Sequence, residues 1–212
     1  RGAEFIARAV ELDPDQALLR TQLAVGQIGV GDTSAAISQL ESAVALGQDV
    51  VQADVLLVLS YLNKQEFDKA EAASEALEQR MADSPIPYNL TGLAFLAQRK
   101  FEPARGRFKL ALEKDPDFLV AQMNLARLAL VEQKPDEAVR AYEKALDMNP
   151  KHVGAMIGLA ALARSRNDTA EAENWLLRAN QADPQALQPI LVLTEMYLRA
   201  NEGLKASNML SG

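Results

Sequence analysis

The chain repeats one short stretch at a fixed distance. The clearest copies are VELDPDQ at 10–16, ALEKDPDF at 111–118, ALDMNPKH at 145–152 and ANQADPQA at 179–186. Their prolines, at 14, 116, 150 and 184, lie 102, 34 and 34 residues apart, and 102 is three times 34. The two missing positions of this series, Gln48 and Ala82, lie in stretches that keep turn-forming glycine or proline. The sequence therefore has a 34-residue period, which predicts stacked copies of one small structural unit.

Each repeat carries two amphipathic helical patterns of about 13 residues, which we name helix A and helix B. The clearest pair is LVAQMNLARLALVEQ, from residue 119, followed by PDEAVRAYEKALDMN, from residue 135. None of the nine prolines falls in the interior of a pattern, where it would cost roughly 3 kcal/mol. These patterns predict an all-α fold class, a solenoid of stacked antiparallel helix pairs that forms one domain, 1–212. Its five full repeats are 17–50, 51–84, 85–118, 119–152 and 153–186, with partial repeats at 1–16 and 187–212.

Small side chains recur where the two helices of a repeat must cross. Position 20 of the repeat is alanine in every copy, namely Ala36, Ala70, Ala104, Ala138, Ala172 and Ala206. Position 24 is large in most copies, as at Phe108 and Tyr142, and Ser74 is the exception. Helices that pack at roughly 8–10 Å between axes leave no spare volume for a larger side chain at the crossing. The pattern therefore predicts close helix pairs.

Composition excludes several classes of function. The chain has no cysteine and one histidine, so disulfides, thiolate metal sites and a cysteine nucleophile are ruled out. His152 lies in a turn without a visible cluster of catalytic or metal-ligating partners, and carboxylate pairs such as Glu71 with Glu75 and Glu171 with Glu173 have the spacing of a solvated helix face. A net charge of −7 disfavours nucleic acid and anionic membranes as partners. We expect no enzyme activity, no cofactor, no metal and no membrane span.

Small residues at repeat position 8, alanine at positions 20 and 27 and proline at position 32 resemble the signature of the tetratricopeptide repeat (TPR). Position 4, often tryptophan in that family, holds other residues here. The resemblance implies a right-handed α-solenoid whose A helices line a concave groove for a protein or peptide partner. The partner-binding residues that it implies are Val55, Leu59, Leu62, Asn63, Asn89, Leu93, Leu96, Met123, Arg127, Leu130, Ile157 and Arg164.

Two interpretations of these twelve residues stay open. Their apolar members either form an exposed surface that suits an amphipathic helix or an extended segment, or pack between neighbouring A helices as ordinary core. In the first case Arg127 and Arg164 supply the charged contacts. A clamp for a carboxylate tail is disfavoured, because none of the implied groove positions is lysine.

A narrower resemblance suggests a biological setting. Segments such as ADVLLVLSYLNKQEFDKAEAASEAL and AQMNLARLALVEQKPDEAVRAYEKAL are similar to the PrsT type of TPR protein, found beside the exosortase and PEP-CTERM sorting system of exopolysaccharide-producing bacteria. This resemblance implies a scaffold in the assembly or export of surface polysaccharide, or in the sorting of surface proteins, in a Gram-negative periplasm. It also implies that the full-length protein is an outer-membrane lipoprotein. The alternative is a cytoplasmic TPR adaptor, or the regulatory arm of an enzyme whose catalytic domain lies outside this fragment.

The two ends of the sequence carry partial repeats. AEFIARAV, from residue 3, reads as part of a B helix, and LKASNMLSG, from residue 204, reads as part of another. A single helix pair cannot bury its apolar face alone, so repeat arrays need capping at both ends. We therefore expect further repeats outside this fragment and end-to-end self-association through the uncapped terminal helices.

Overall fold

The computed structural model describes residues 2–48 and 50–211 and contains thirteen α-helices and no strand in that part of the chain. Arg1, Asp49 and Gly212, which belong to the predicted domain 1–212, lie outside the described residues. The helices are α1 (Gly2–Leu12), α2 (Ala17–Gly29), α3 (Thr33–Ala45), α4 (Val51–Asn63), α5 (Phe67–Arg80), α6 (Pro85–Ala97), α7 (Phe101–Lys114), α8 (Leu119–Val131), α9 (Pro135–Met148), α10 (Val153–Ser165), α11 (Thr169–Ala182), α12 (Leu187–Arg199) and α13 (Gly203–Ser211). They form two compact units, unit 1 (Arg1–Pro116) and unit 2 (Asp117–Gly212), and each is described by itself.

The helices keep the 34-residue period. The A helices α2, α4, α6, α8, α10 and α12 begin at residues 17, 51, 85, 119, 153 and 187, and each has 13 residues. The B helices that follow begin at 33, 67, 101, 135, 169 and 203. Each A helix therefore starts at the first residue of a predicted repeat, and the proline-containing stretches lie between helix pairs.

The link from helix A to helix B has one backbone conformation throughout. A residue with positive φ occurs at 31, 65, 99, 133, 167 and 201, and of these only Gly31 is glycine. At the second link, the Glu66 amide donates to the Tyr61 carbonyl at 2.9 Å and the Gln65 amide donates to that of Leu62 at 3.1 Å. These bonds satisfy carbonyls at the end of helix A, as a left-handed cap does. Five of the six links thus keep this conformation with a residue that has a Cβ and pays a steric cost for it.

The predicted close crossings are buried. The position-20 alanines Ala36, Ala70, Ala104, Ala138 and Ala172 have no exposed surface, and Ala206 is also buried. Phe108 fills the corresponding large position in unit 1 and is completely buried. A Cβ added to Gly92 would lie 2.5 Å from Cε1 of this ring, so α6 approaches α7 closely because residue 92 has no side chain.

In unit 2, Trp175 lies between two apolar clusters. It packs against the cluster that contains Tyr142 and Leu159 and against the cluster that contains Leu176 and Leu193. Its indole N–H donates to Glu171 at 3.4 Å, and the guanidinium of Arg178 lies 4.3 Å from the ring centroid. These contacts place the tryptophan at a junction between repeats.

Departures from the repeat pattern have polar partners. Thr91, where most repeats have leucine, is buried, and its hydroxyl donates to Glu78 at 2.6 Å. Arg107 donates to the other oxygen of the same carboxylate at 2.7 Å. Gln48 stands in place of a proline, and its side chain accepts a hydrogen bond from the Ala17 amide at 3.0 Å. Polar links thus replace the missing apolar or proline contact, between neighbouring repeats at Thr91 and within one repeat at Gln48.

The expectation that the paired carboxylates are merely solvated is wrong for Glu71 and Glu173. Glu71 accepts hydrogen bonds from Gln98 at 2.9 Å and from Lys100 at 3.3 Å, both of which belong to the next repeat. Glu173 accepts one from Tyr197 at 2.7 Å, again across a repeat boundary. The spacing of carboxylates along one helix does not reveal such links, since the donors lie 24 to 29 residues further along the chain.

Candidate partner-binding groove

Exposed apolar side chains are concentrated on the A helices. Those with large exposed side chains are Leu18, Val25 and Ile28 on α2, Leu59 on α4, Val120, Leu130 and Val131 on α8, and Leu187, Leu191 and Leu198 on α12. The A helices α6 and α10 have none, nor do the B helices α3, α5, α7 and α9. Leu177 on α11 is comparably exposed, and so are Phe5 and Leu12 on α1 and Leu204 and Leu210 on α13, the helices at the two ends of the described chain. Apolar surface that gathers on one type of helix is typical of a contact surface, whereas scattered exposure is ordinary. We name the exposed side of the A helices the A-helix face.

The predicted residues of unit 1 lie on two neighbouring A helices: Val55, Leu59, Leu62 and Asn63 on α4, and Asn89, Leu93 and Leu96 on α6. Leu59, at 42% exposure, and Asn63 are accessible on the surface. Val55, Leu62 and Leu93 are half-buried and pack against the core of the unit. Asn89 and Leu96 are buried, at 5% and 8% exposure.

In unit 2, three A helices line a cleft of about 540 Å³. Leu130 of α8, Ile157 of α10 and Gln188 of α12 lie around it. Gly154 and Gly158 of α10 also line it. The structure thus brings together Leu130 and Ile157, two of the predicted residues, and Met123 lies nearby, with its methyl carbon 3.7 Å from where a Cβ on Gly154 would be.

A second cleft, of about 750 Å³, adjoins the first. Ala161 and Ser165 of α10 line both clefts. Arg164, another predicted residue, lines only the second, together with Met196 and Arg199 of α12. We name the two clefts together the unit 2 groove.

The A helices of unit 2 carry few charges. Helices α8, α10 and α12 hold Arg127, Arg164, Arg199 and Glu195 as their only charged side chains. One carboxylate oxygen of Glu195 lies 2.6 Å from the guanidinium of Arg199, and the other lies 3.8 Å from the guanidinium of Arg164. Arg127 is exposed and, among the residues that the structure describes, has no ion-pair partner. The A helices of unit 2 are therefore net positive, although the whole chain has a net charge of −7.

The far side of the second cleft is a fixed polar cluster. The Tyr197 hydroxyl donates to Glu173, and Lys205 lies 3.9 Å from the same carboxylate oxygen. Burial, and then the hydrogen bond to Glu173, raise the pKa of Tyr197 to about 12. The phenol therefore stays neutral at physiological pH and acts as a structural donor. This cluster anchors α12 against α11, and the carboxylates of Glu173 and Glu202 line the second cleft together with Arg164 and Arg199.

Some lining residues escape prediction from the sequence. Gly158 and, from helix B, Tyr142 line the first cleft. A Cβ on Gly158 would lie 2.4 Å from the tyrosine ring, so the ring approaches α10 closely because residue 158 has no side chain. In the sequence, this contact corresponds to a glycine in one repeat and a large residue at position 24 of the previous repeat. The sequence alone does not show that these two positions meet, so Gly158 could not be predicted as a groove residue. His152 is also more than a turn residue, since its Nδ1 accepts the Ala155 amide at 3.0 Å and caps α10.

Two further properties of the described chain bear on the site. Within residues 2–48 and 50–211, no group of three or more acidic or histidine side chains is arranged to hold a metal ion. In the same part of the chain, every helix is too short or too polar to cross a bilayer.

The regular pairs of helices and the apolar A-helix face define a helical repeat protein. The tetratricopeptide repeat model matches residues 21–85, 89–139 and 123–186, so the chain belongs to the tetratricopeptide repeat family. This confirms the predicted all-α TPR fold class. The family binds peptides and proteins, and its members are generally non-catalytic scaffolds.

Solved structures agree with this assignment. The thermophilic TPR protein TTC0263 of Thermus thermophilus has a TM-score of 0.67 at 18% identity, over 89% of this chain and 98% of its own. PilF of Pseudomonas aeruginosa has a TM-score of 0.67 at 18% identity, over 99% and 90% of the two chains. YrrB, described as a TPR protein with an unusual peptide-binding site, has a TM-score of 0.53 at 16% identity, over 94% and 99%. At such identities the likeness shows the fold alone.

No curated protein sequence matches the chain. Neither the family match nor the solved structures support the narrower resemblance to the PrsT type of protein found beside the PEP-CTERM system.

Proposed function

We propose that this chain is a protein-interaction scaffold that holds an apolar segment of a partner protein in the unit 2 groove. The observation that carries the proposal is the concentration of exposed apolar side chains on the A helices, while four consecutive B helices, α3, α5, α7 and α9, have no large exposed apolar residue. A segment that covered Leu130 and Ile157 in the first cleft and Met196 in the second would remove apolar surface from water at roughly 25 cal/mol per Å². The same surface in unit 1, at Val25 and Leu59, is a second place for such a segment.

We further propose that the scaffold acts in the assembly or export of surface polysaccharide, or in the sorting of surface proteins, in the periplasm of a Gram-negative bacterium. The similarity of the 53–77 and 121–146 segments to PEP-CTERM-associated TPR proteins supports this setting. In the full-length protein we expect an outer-membrane lipid anchor. A cytoplasmic adaptor is the alternative, and cell fractionation of the full-length protein distinguishes the two.

The scaffold is tested by blocking the groove without changing its charge. Ala161 is exposed and lines both clefts, so Ala161→Gln fills the groove while keeping a good helix former on α10. Ala170→Gln, at an exposed alanine on the B helix α11, is the matched control. Each variant is used as bait in affinity capture from the native host, after far-UV circular dichroism has shown equal helicity.

We expect partners that bind the original chain and Ala170→Gln but are lost with Ala161→Gln. Their identification by mass spectrometry as components of polysaccharide export or sorted surface proteins supports the proposed setting. Capture of the same proteins by all three chains contradicts binding in the groove. Capture of a cytoplasmic enzyme through the groove supports the scaffold and refutes the periplasmic setting.

A further inference from the structure

We propose that a small cleft at the turn before α10 binds the oxyanion group of a small organic molecule, a carboxylate or a phosphate. The cleft has a volume of about 280 Å³. It is lined by Pro150 and Lys151 of the turn, Met156 of α10, and Arg178, Gln181 and Ala182 of α11. None of these residues lines the unit 2 groove, so binding here is independent of the proposed function.

The cleft lies at repeat position 4, where Met156 stands in place of a polar side chain. In two other repeats the side chain at this position donates a hydrogen bond back to position 32 of the preceding turn. Arg20 donates to the Pro14 carbonyl at 2.7 Å, and Tyr88 to that of Ala82 at 2.9 Å. A thioether has no hydrogen to donate, so Met156 cannot form this bond. Its buried side chain instead gives the cleft an apolar lining.

Both charged side chains that line the cleft are positive. Lys151 and Arg178 are exposed, and within residues 2–48 and 50–211 neither has an ion-pair partner. Asp183, which follows the last lining residue, uses its carboxylate to accept the Gln185 amide at 3.0 Å. The side-chain amide of Gln181 adds a neutral donor to the lining. An anion in the cleft would therefore be balanced by two cations and could accept hydrogen bonds from three side chains.

The guanidinium of Arg178 is ordered by an aromatic ring. It lies 4.3 Å from the ring centroid of Trp175, which is a cation–π contact. The N–H groups along the edge of a stacked guanidinium stay available, and their fork matches two oxygens of a carboxylate or phosphate. Because the ring already restricts this side chain, binding an oxyanion costs less conformational freedom than it would at a free arginine.

The size of the cleft restricts its ligand. A volume of about 280 Å³ is near the lower end of the range for small-molecule sites, roughly 300–1,000 Å³. The cleft can hold one oxyanion group with a few carbon atoms, whose apolar surface would contact Met156 and Ala182. The ligand class is therefore a short-chain carboxylate or a phosphate monoester.

The test is NMR of the chain labelled with ¹³C at its methionine methyl groups. Of the six methionines, Met156 lines the cleft, whereas Met196 lines the unit 2 groove and reports on binding elsewhere. The probes are butanoate, butyl phosphate and inorganic phosphate, with butanol as the neutral control. Sodium chloride at the same ionic strength is the blank.

We expect butanoate or butyl phosphate to shift the Met156 signal to saturation and to leave the Met196 signal unchanged. The probe with the lower dissociation constant identifies the oxyanion. Butanol and inorganic phosphate are each expected to bind at least about tenfold more weakly than this probe, because butanol has no charge and inorganic phosphate has no apolar chain.

Variants test the individual contacts. Arg178→Gln and Lys151→Gln are each expected to weaken binding by roughly tenfold. Lys144→Gln, at an exposed lysine of α9 outside the cleft, is the matched control and is expected to leave binding unchanged. Met156→Tyr introduces the residue that α6 has at this position, and it is expected to fill the cleft and abolish binding in isothermal titration calorimetry. Far-UV circular dichroism checks that each variant is folded.

A Met156 signal that no probe shifts beyond the sodium chloride blank refutes the oxyanion site. Binding that both Arg178→Gln and Lys151→Gln leave unchanged refutes it as well. Inorganic phosphate that binds as tightly as the better organic probe contradicts the short-chain ligand class. None of these outcomes affects the protein scaffold, whose own test uses Ala161→Gln.

Discussion

Gly92 offers the most direct test of how the repeats are packed. In most α-helices, replacing an interior glycine by alanine is favourable by about 1 kcal/mol, because glycine loses more backbone freedom on folding. At Gly92→Ala we expect the opposite sign. The new Cβ would lie 2.5 and 2.6 Å from two ring atoms of Phe108, whereas carbon atoms in contact are normally about 3.5–4.0 Å apart.

The expected change in the free energy of unfolding follows from how far the Phe108 ring has to move. The ring is completely buried, so it has to move by about 1 Å within a close-packed interior. Overpacking of this kind costs about 1–3 kcal/mol, which offsets or exceeds the helix-propensity gain. Gly106→Ala on α7 is the matched control, because nothing lies within 4 Å of its added Cβ. The control is expected to stabilise the protein by about 1 kcal/mol.

The assay is urea unfolding followed by far-UV circular dichroism. The difference between Gly92→Ala and Gly106→Ala isolates the steric cost, since the propensity gain is common to both, and we expect about 1–3 kcal/mol. In a Phe108→Leu background the two alanine variants are expected to converge, because the ring that clashes has been removed. Equal stabilisation by both substitutions in the original background would refute the close crossing of α6 and α7.

Three further predictions concern other parts of the fold. Gln133 has a φ of 60° at its link, and Gln133→Gly is expected to stabilise the protein by about 0.5–1 kcal/mol, because glycine has no Cβ that opposes a positive φ. Urea unfolding measures this change, and a lower free energy of unfolding would contradict backbone strain at residue 133. His152→Ala is expected to lower the free energy of unfolding by about 1 kcal/mol, because it removes the side-chain cap of α10, whereas His152→Asn keeps a hydrogen-bond acceptor. Thermal unfolding compares the two variants, and equal destabilisation by both would contradict capping by His152. Glu173→Gln removes the negative charge beside the hydroxyl and is expected to lower the pKa of Tyr197 from about 12 while leaving it above 10.0, because burial is the larger cause. ¹³C NMR of labelled tyrosine measures this pKa, and an unchanged value contradicts an effect of the Glu173 charge.

The Tyr197 pKa also sets the direction of a stability change with pH. The folded pKa lies above the unfolded value, so the unfolded chain releases this proton first as the pH rises. The contribution of Tyr197 to stability is therefore complete below pH 10.0 and is lost as the pH rises toward 12. Unfolding midpoints of the original chain and Tyr197→Phe at about pH 9 and about pH 11 would show whether this loss depends on the hydroxyl.

The helical architecture follows from sequence because it depends on a local period. Proline at position 32 and alanine at position 20 mark the turn and the crossing of each helix pair, and both signals lie within one repeat. The predicted repeat starts coincide with the observed starts of the A helices for this reason.

The groove follows from sequence only in part. Leu96 and Leu130 occupy the same repeat position, yet the first is buried and the second is 42% exposed. Exposure depends on the side chains that neighbouring helices contribute, and a position number does not carry that information. The shape of the unit 2 groove likewise depends on the pairing of Gly158 with Tyr142, residues from different repeats.

The shared carboxylate of Glu78 has a consequence for the order of the repeats. Its two donors, Thr91 and Arg107, both lie in the following repeat, and Thr91 stands where most other copies have leucine. If the repeats were rearranged so that a copy with leucine at this position followed Glu78, the largely buried carboxylate would lose its hydroxyl donor. Each repeat is therefore adapted to the particular repeat that follows it. Duplication or exchange of whole repeats would require compensating substitutions in the adjoining repeat.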